Sequence, residues 1–201
     1  MDDRIFAPES DGSSLLKDRG SKFLAFAYPC EDLQTGDAYL AELKKKYHDA
    51  RHHCYAYRLG KGGETTFATD DGEPSHSAGD PILNAIRAEQ LTNVWVCVVR
   101  YFGGTKLGVR GLIEAYGESA LLALQEMERV ELIDQVTFTL KFPYDKTSEV
   151  SRILHPYEIE EKNAVYTDSV VQTLAVLKED FPALSAQLEA SLLYYEVVED
   201  D

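Results

Sequence analysis

Asn93-Val94-Trp95-Val96-Cys97-Val98-Val99-Arg100-Tyr101-Phe102-Gly103-Gly104-Thr105-Lys106-Leu107-Gly108-Val109-Arg110-Gly111-Leu112 is the stretch on which the fold turns. The apolar run from Val94 to Val99 has no polar side, so the strand predicted over Asn93 to Tyr101 must be buried on both faces. Glycines punctuate Phe102 to Gly108 as a loop. Beyond it, Leu112, Tyr116, Ala120 and Leu124 recur at helical spacing, flanked by Ile113 and Leu121, which predicts a helix from about Val109 to Met127.

Working outward, Asp80 followed by Pro81 reads as an N-cap and first turn, so Pro81 to Leu91 is expected to be a helix. His53 to Leu59 alternates, Lys61 to Glu64 is a turn, and Thr65 to Thr69 is β-branched; together they predict a hairpin. Ala38, Leu40, Ala41, Leu43 and Tyr47 mark a helix over Asp37 to Tyr47, with Lys44, Lys45 and Lys46 where cations suit the helix dipole. Lys22 to Tyr28 reads as a strand, and the stretch up to about Ser14, rich in Asp, Ser and Pro, as loosely ordered chain. A second module is expected from Gln135. It has strands at 135–142, 158–161, 169–177 and 193–198, with helices at 148–154 and 182–192. That βαββαβ order is the ferredoxin-like arrangement. The fold class is therefore α+β, with domains at 1–134 and 135–201.

The 201 residues are 44% hydrophobic and 27% charged, which suits a globular chain and gives no sign of disorder. No apolar run approaches the roughly 20 residues of a membrane span. The acidic start lacks the apolar core of a secretory signal. Cys30, Cys54 and Cys97 are odd in number and widely spaced, so free thiols and a cytoplasmic location are expected. The net charge of −15 argues against indiscriminate coating of nucleic acid. It is unevenly spread: residues 1–134 carry 15 basic and 22 acidic side chains, net −7, and residues 135–201 carry 5 and 13, net −8. A local basic site in the first module remains compatible with this balance.

Two segments exceed what a core requires. Asp70-Asp71-Gly72-Glu73-Pro74-Ser75-His76-Ser77-Ala78-Gly79-Asp80-Pro81 concentrates carboxylates and hydroxyls ahead of a helix, and Arg100 to Leu112 joins glycines, three cations and two aromatics at a strand-to-helix turn. With Arg19-Gly20-Ser21-Lys22-Phe23 and His52-His53-Cys54-Tyr55-Ala56-Tyr57, they resemble the signature stretches of the IMPACT/YigZ family over roughly Lys17 to Leu124. That resemblance implies an N-terminal domain like domain 2 of ribosomal protein S5, with helices on one face of a sheet. It also implies a C-terminal domain similar to the last domain of elongation factor G. Eukaryotic members bind an activator of an initiation-factor kinase and so modulate translation initiation. This chain departs from the family at His76-Ser77, where Gly-Thr is usual, at Arg110, where glycine is usual, and at Glu114, where a basic residue is usual.

The candidate binding set is Lys22, His53, Asp70, Asp71, Glu73, Ser77, Arg100, Tyr101, Gly103, Gly104, Lys106, Gly108 and Arg110. The glycine loop either cradles an anion, with Arg100, Lys106 and Arg110 adding charge, or merely permits a tight turn. No Gly-Lys-Ser/Thr closes it as a P-loop. Asp70, Asp71 and Glu73 suit magnesium, a solvated turn, or pairing with Arg100 or Lys106. Tyr55, Tyr57, Tyr101 and Phe102 suit base stacking or core packing. His52 and His53 point to opposite faces of a strand and cannot share a zinc ion. Cys54 reads as a buried thiol.

The leading expectation is a non-enzymatic binding protein that regulates translation by contacting RNA, the ribosome or a translation-associated protein. No cofactor, metal or catalytic residue is expected, nor a membrane or sequence-specific DNA partner. The oligomeric state is open. The alternative is a metal-dependent hydrolase or phosphotransferase acting on a phosphate-containing substrate, with Asp70, Asp71 and Glu73 holding the metal.

Overall fold

The computed structural model describes residues 4–198, which fall into two compact units divided between Leu132 and Ile133. Unit 1 is a five-stranded antiparallel sheet flanked by helices. Its elements are β1 (Ile5–Pro8), β2 (Gly12–Asp18), β3 (Ser21–Pro29), α1 (Leu33–Lys46), β4 (His52–Leu59), β5 (Thr65–Thr69), α2 (Gly79–Ala88), β6 (Val94–Tyr101), α3 (Gly108–Gln125) and β7 (Arg129–Leu132). The sheet order is β2-β3-β6-β4-β5, so the apolar strand β6 lies at the centre, as its lack of a polar side requires.

Strand alternation sends the two halves of β6 to different cores. Val94, Val96 and Val98 join Phe23, Ala25, Cys54 and Ala56 beneath α2 and α3, where Ile82, Ile86, Leu112, Tyr116 and Leu124 complete the packing. Trp95, Cys97 and Val99 point the other way and meet Leu43, with Tyr39, Leu40 and Tyr47, on α1. The family resemblance implies helices on one face only; here α1 covers part of the second. Three large apolar side chains of β6 on that face make such cover necessary.

The N-terminal stretch is ordered from residue 4, contrary to the loose chain expected. β1 pairs antiparallel with β7, Ile5 opposite Leu132, and β2 pairs with β3, Gly12 opposite Ala27. Backbone pairing with a segment at the far end of the unit leaves no local pattern to read. The helix expected at Pro81 begins at Gly79, and its cap is not Asp80. Asp70 Oδ1 instead accepts the N–H groups of Ala78 and Gly79, both at 2.9 Å. α1 begins at Leu33, before the expected Asp37, because Asp32 caps it through the Thr35 N–H.

Unit 2 contains β8 (Gln135–Phe142), α4 (Thr147–Leu154), β9 (Ile159–Tyr166), β10 (Val170–Leu177), α5 (Phe181–Ala190) and β11 (Tyr194–Val197). Its antiparallel order, β11-β8-β10-β9, is the ferredoxin-like sheet expected from the βαββαβ succession. β9 is twice the expected length; its mostly exposed Glu160, Glu161, Lys162 and Asn163 mask it as loop. No helix among the described residues is long and apolar enough to cross a membrane.

Candidate functional site

The sequence-predicted residues divide between the two faces of the sheet, and the division falls between Arg100 and Tyr101. Consecutive residues at the end of β6 point to opposite sides.

On the α2/α3 face, Arg100 turns inward. Its Nη1 donates to Glu73 Oε1 at 2.5 Å, with the two side chains 7% and 5% exposed. Tyr116 of α3 donates its hydroxyl to the same oxygen at 2.9 Å, Cys54 Sγ donates to the Tyr116 oxygen at 3.4 Å, and His52 Nε2 stands 4.0 Å from Glu73. The guanidinium also lies over the Phe23 and Phe102 rings, at 5.4 and 5.7 Å. Its Nε is buried without a partner in the structure. Burial and the neighbouring Cys54 and Glu73 push the Tyr116 hydroxyl far above its ordinary pKa, and burial pushes the Cys54 thiol up to about 12. Both stay protonated as donors, so Cys54 is no thiolate nucleophile.

The acidic loop is likewise turned on itself. Asp70, besides capping α2, accepts the His76 N–H at 2.7 Å through Oδ2. Burial of this carboxylate favours its neutral form, but the backbone donors of Gly79, Ala78 and His76 outweigh it and hold its pKa below the usual value. Asp71 sits at φ +39° and accepts the His53 N–H at 2.6 Å; its carbonyl lies 2.8 Å from His52 Nδ1. Ser77 is buried and donates to the Pro74 carbonyl at 2.6 Å. Among the described residues, no three His, Cys, Asp or Glu side chains are grouped to hold a metal ion. Both oxygens of Asp70, Oδ2 of Asp71 and Oε1 of Glu73 already accept hydrogen bonds from protein donors. The salt-bridge reading of Glu73 with Arg100 is the one the geometry displays. His53 is buried under α1 with its Nε2 unpartnered, and burial lowers its pKa, so it presents no surface cation.

On the α1 face, Tyr101 and Phe102 open outward. A groove of about 470 Å³ is lined by Leu15, Lys17, Gly20, Lys22, Leu24, Tyr101 and Phe102. Lys17 stands directly opposite Lys22, and Lys22 directly opposite Tyr101, in one cross-strand row. Phe102 is 56% exposed. Tyr101 donates its hydroxyl to Asp49 at 2.6 Å, and that carboxylate pushes its pKa up to about 12. Gly103 fixes the groove's end. A Cβ there would fall 1.8 Å from the Gly20 carbonyl carbon, and the Gly103 N–H donates to Ser21 Oγ at 3.1 Å. The Arg19–Phe23 motif and the glycine loop thus meet backbone to backbone.

The remaining loop residues are more dispersed. Gly104 and Gly108 take φ +89° and +72°, the turn role weighed against an anion cradle. Lys106 is exposed and has no ion-pair partner among the described residues. Arg110 is exposed and pairs with Glu114 at 2.8 Å, one turn on. The pair offsets the positive charge at the start of α3 with an acid on the same helix. Sequence reasoning missed Lys17 and Leu15, whose signal was the alternation of Leu15 and Lys17 opposite Leu24 and Lys22.

A sheet with helices on both faces, a buried ion pair closing one and an open lysine-aromatic groove on the other, joined in one chain to a ferredoxin-like unit, defines an α+β protein built from two units. A family model for the Impact N-terminal domain matches residues 19–124. A Haemophilus influenzae IMPACT family member is 31% identical over 170 residues, covering 84% of this chain and 82% of its own. A Thermus thermophilus IMPACT family member is 39% identical over 150 residues, 75% and 80% of the two chains. Escherichia coli YigZ is 27% identical over 170 residues, 84% and 83%. A crystal structure titled as that of a hypothetical protein shares the fold, with a TM-score of 0.63, 24% identity and 98% coverage of both chains. The chain belongs to the IMPACT family.

Proposed function

We propose that this protein is a non-enzymatic binding module that regulates translation by docking RNA of the translation machinery in the Lys17–Lys22–Tyr101–Phe102 groove. Membership of the IMPACT family supports the translational setting. The observation that carries the ligand class is the row of Lys17 directly opposite Lys22. Like charges at that spacing destabilise a sheet, and neither lysine has an anionic partner among the described residues. An anion lying along the row would relieve that repulsion. Phosphates supply it, while the exposed Phe102 ring beside them suits a stacked base. Arg100, paired with Glu73, meets the groove through the Phe102 ring, which its guanidinium overlies at 5.7 Å.

The test is association with ribosomes and with a single-stranded RNA oligonucleotide at several salt concentrations. Binding should strengthen as salt falls, and Lys17→Ala with Lys22→Ala should reduce the slope of log K against log salt by about 1.4, the share of two phosphate contacts. Phe102→Ala should weaken binding by about 1–3 kcal/mol with the slope kept. A chain that sediments away from both partners at low salt, or whose lysine variants keep the full slope, rules the groove out as an RNA site.

A further inference from the structure

The same face of the sheet carries a second concavity of opposite electrostatic character. Register places Phe67 of β5 opposite Tyr57 of β4, Tyr57 opposite Trp95 of β6, and Trp95 opposite Tyr28 of β3, so four aromatic side chains form one row across four strands. α1 covers only one end of it. Tyr39 stacks on Tyr28 with ring centroids 4.5 Å apart, and Gly36 brings the helix close against the Trp95 indole, where an added Cβ would sit 3.1 Å from Cδ1. α1 begins at Leu33, and beyond that end Tyr57 and Phe67 are left under a cavity of about 130 Å³. Tyr55 completes the wall, its ring 5.5 Å from Trp95 and 5.7 Å from Phe67. Phe67 is 43% exposed.

The rim decides what would enter. Asp32 and Asp37 line the pocket. A helix N-terminus ordinarily attracts anions, but Asp32 already occupies that role, accepting the Thr35 N–H and hydroxyl at 2.9 and 2.8 Å. Asp37 has no cationic partner among the described residues, and its field helps hold the Tyr55 and Tyr57 hydroxyls above their ordinary pKa, after burial. A phosphate would meet two carboxylates, and the cavity is too small for a nucleotide. A cation meets an aromatic lining, whose rings tolerate positive charge, and an acid with no cationic partner among the described residues.

We infer that the pocket between the first turn of α1 and the β4–β5 hairpin takes a cationic side chain, guanidinium or alkylammonium, presented by a basic peptide of a protein partner. This goes beyond the RNA groove and does not depend on it, since no residue is shared between the two linings.

The chain has a single tryptophan, and it is the floor of this pocket. Titrating the full chain with acetyl-Gly-Arg-Gly-amide should give a saturable change in Trp95 fluorescence, and the isosteric citrulline peptide should not. Asp37→Asn, an exposed helix position, should weaken the arginine peptide about five-fold, the upper range for an exposed ion pair. Phe67→Ala, on an exposed edge strand, should weaken it by a similar factor through the lost ring face. An equal response to the citrulline peptide would make the pocket a stacking surface and overturn the inference. So would saturation by uridine monophosphate, or no saturable change in the unsubstituted chain up to roughly 10 mM peptide, where a millimolar site would be filled. RNA binding by the lysine groove is read separately and leaves these outcomes untouched.

Discussion

Removing Glu73 tests whether the two signature loops are held together by an internal ion pair. Glu73→Ala deletes the acceptor of both the Arg100 guanidinium and the Tyr116 hydroxyl, each nearly or fully buried. Breaking one side of a buried pair costs about 3–5 kcal/mol, because the surviving charge stays desolvated. The Phe23 and Phe102 rings still face the guanidinium, and cation–π contacts of that kind are worth about 1 kcal/mol, which points to the lower end, about 3 kcal/mol. Arg100→Met should cost about the same, since it strands the carboxylate. The double variant removes both charges and leaves only the Tyr116 hydroxyl short of an acceptor, a loss of about 1–3 kcal/mol. It should therefore be less destabilised than the sum of the singles by about 3 kcal/mol or more. Trp95 is the only tryptophan and lies in unit 1, so its fluorescence in a urea titration reports that unit without unit 2. Additivity within about 0.5 kcal/mol, or a single variant costing under about 1 kcal/mol, would mean that Arg100 reaches solvent and is free to meet a ligand.

Two further outcomes follow from the same geometry. Asp70 has its pKa depressed by the N–H groups it accepts, so its contribution to stability is whole above the unfolded value near 3.8 and is lost as pH falls from about 4 through the lower folded value. Asp70→Asn should cost about 1–2 kcal/mol at neutral pH and flatten the acid limb of a stability-versus-pH curve; an unchanged limb would deny Asp70 its capping role. Burial raises the pKa of Cys30, Cys54 and Cys97, and all three are free and buried. Iodoacetamide at pH 8 should label none of them in the native chain and all three in urea, by mass spectrometry; rapid native labelling of Cys54 would reopen it as a nucleophile.

Much of the fold was legible because its strongest signals are local. The run Val94–Val99 demands a central strand, and the period-2 split of that strand demands cover on both faces; α1 supplies the second cover. The site was harder to read. Arg100, Lys106 and Arg110 look like one cationic cluster along the chain, yet one is buried against Glu73, one is exposed, and one is paired with Glu114. Alternation already separates Arg100 from Tyr101, but the partner that draws Arg100 inward lies in another loop and has no fixed spacing. Asp70 was equally opaque: caps are sought one residue before a helix, and this one reaches Ala78 and Gly79 from outside the turn.

The buried pair also shows how the carboxylate-rich loop and the glycine-rich loop of this chain meet without grouping three metal-ligating side chains among the described residues. Glu73 and Asp70 spend their charge on holding Arg100 and the start of α2, which fixes the end of β6. Once that strand end is fixed, the next residue, Tyr101, must face the other side, and Gly103 must close on Gly20. The inward network therefore shapes the outward groove, and it meets that groove where the Arg100 guanidinium lies over the Phe102 ring. Substitutions at Glu73 should then alter RNA association only in proportion to the fraction of unit 1 unfolded, whereas those at Lys17 and Lys22 should alter it in a fully folded chain. If Glu73→Ala abolished binding under conditions where Trp95 reported an intact unit 1, the two faces would be one site and the division drawn at Arg100 and Tyr101 would fail.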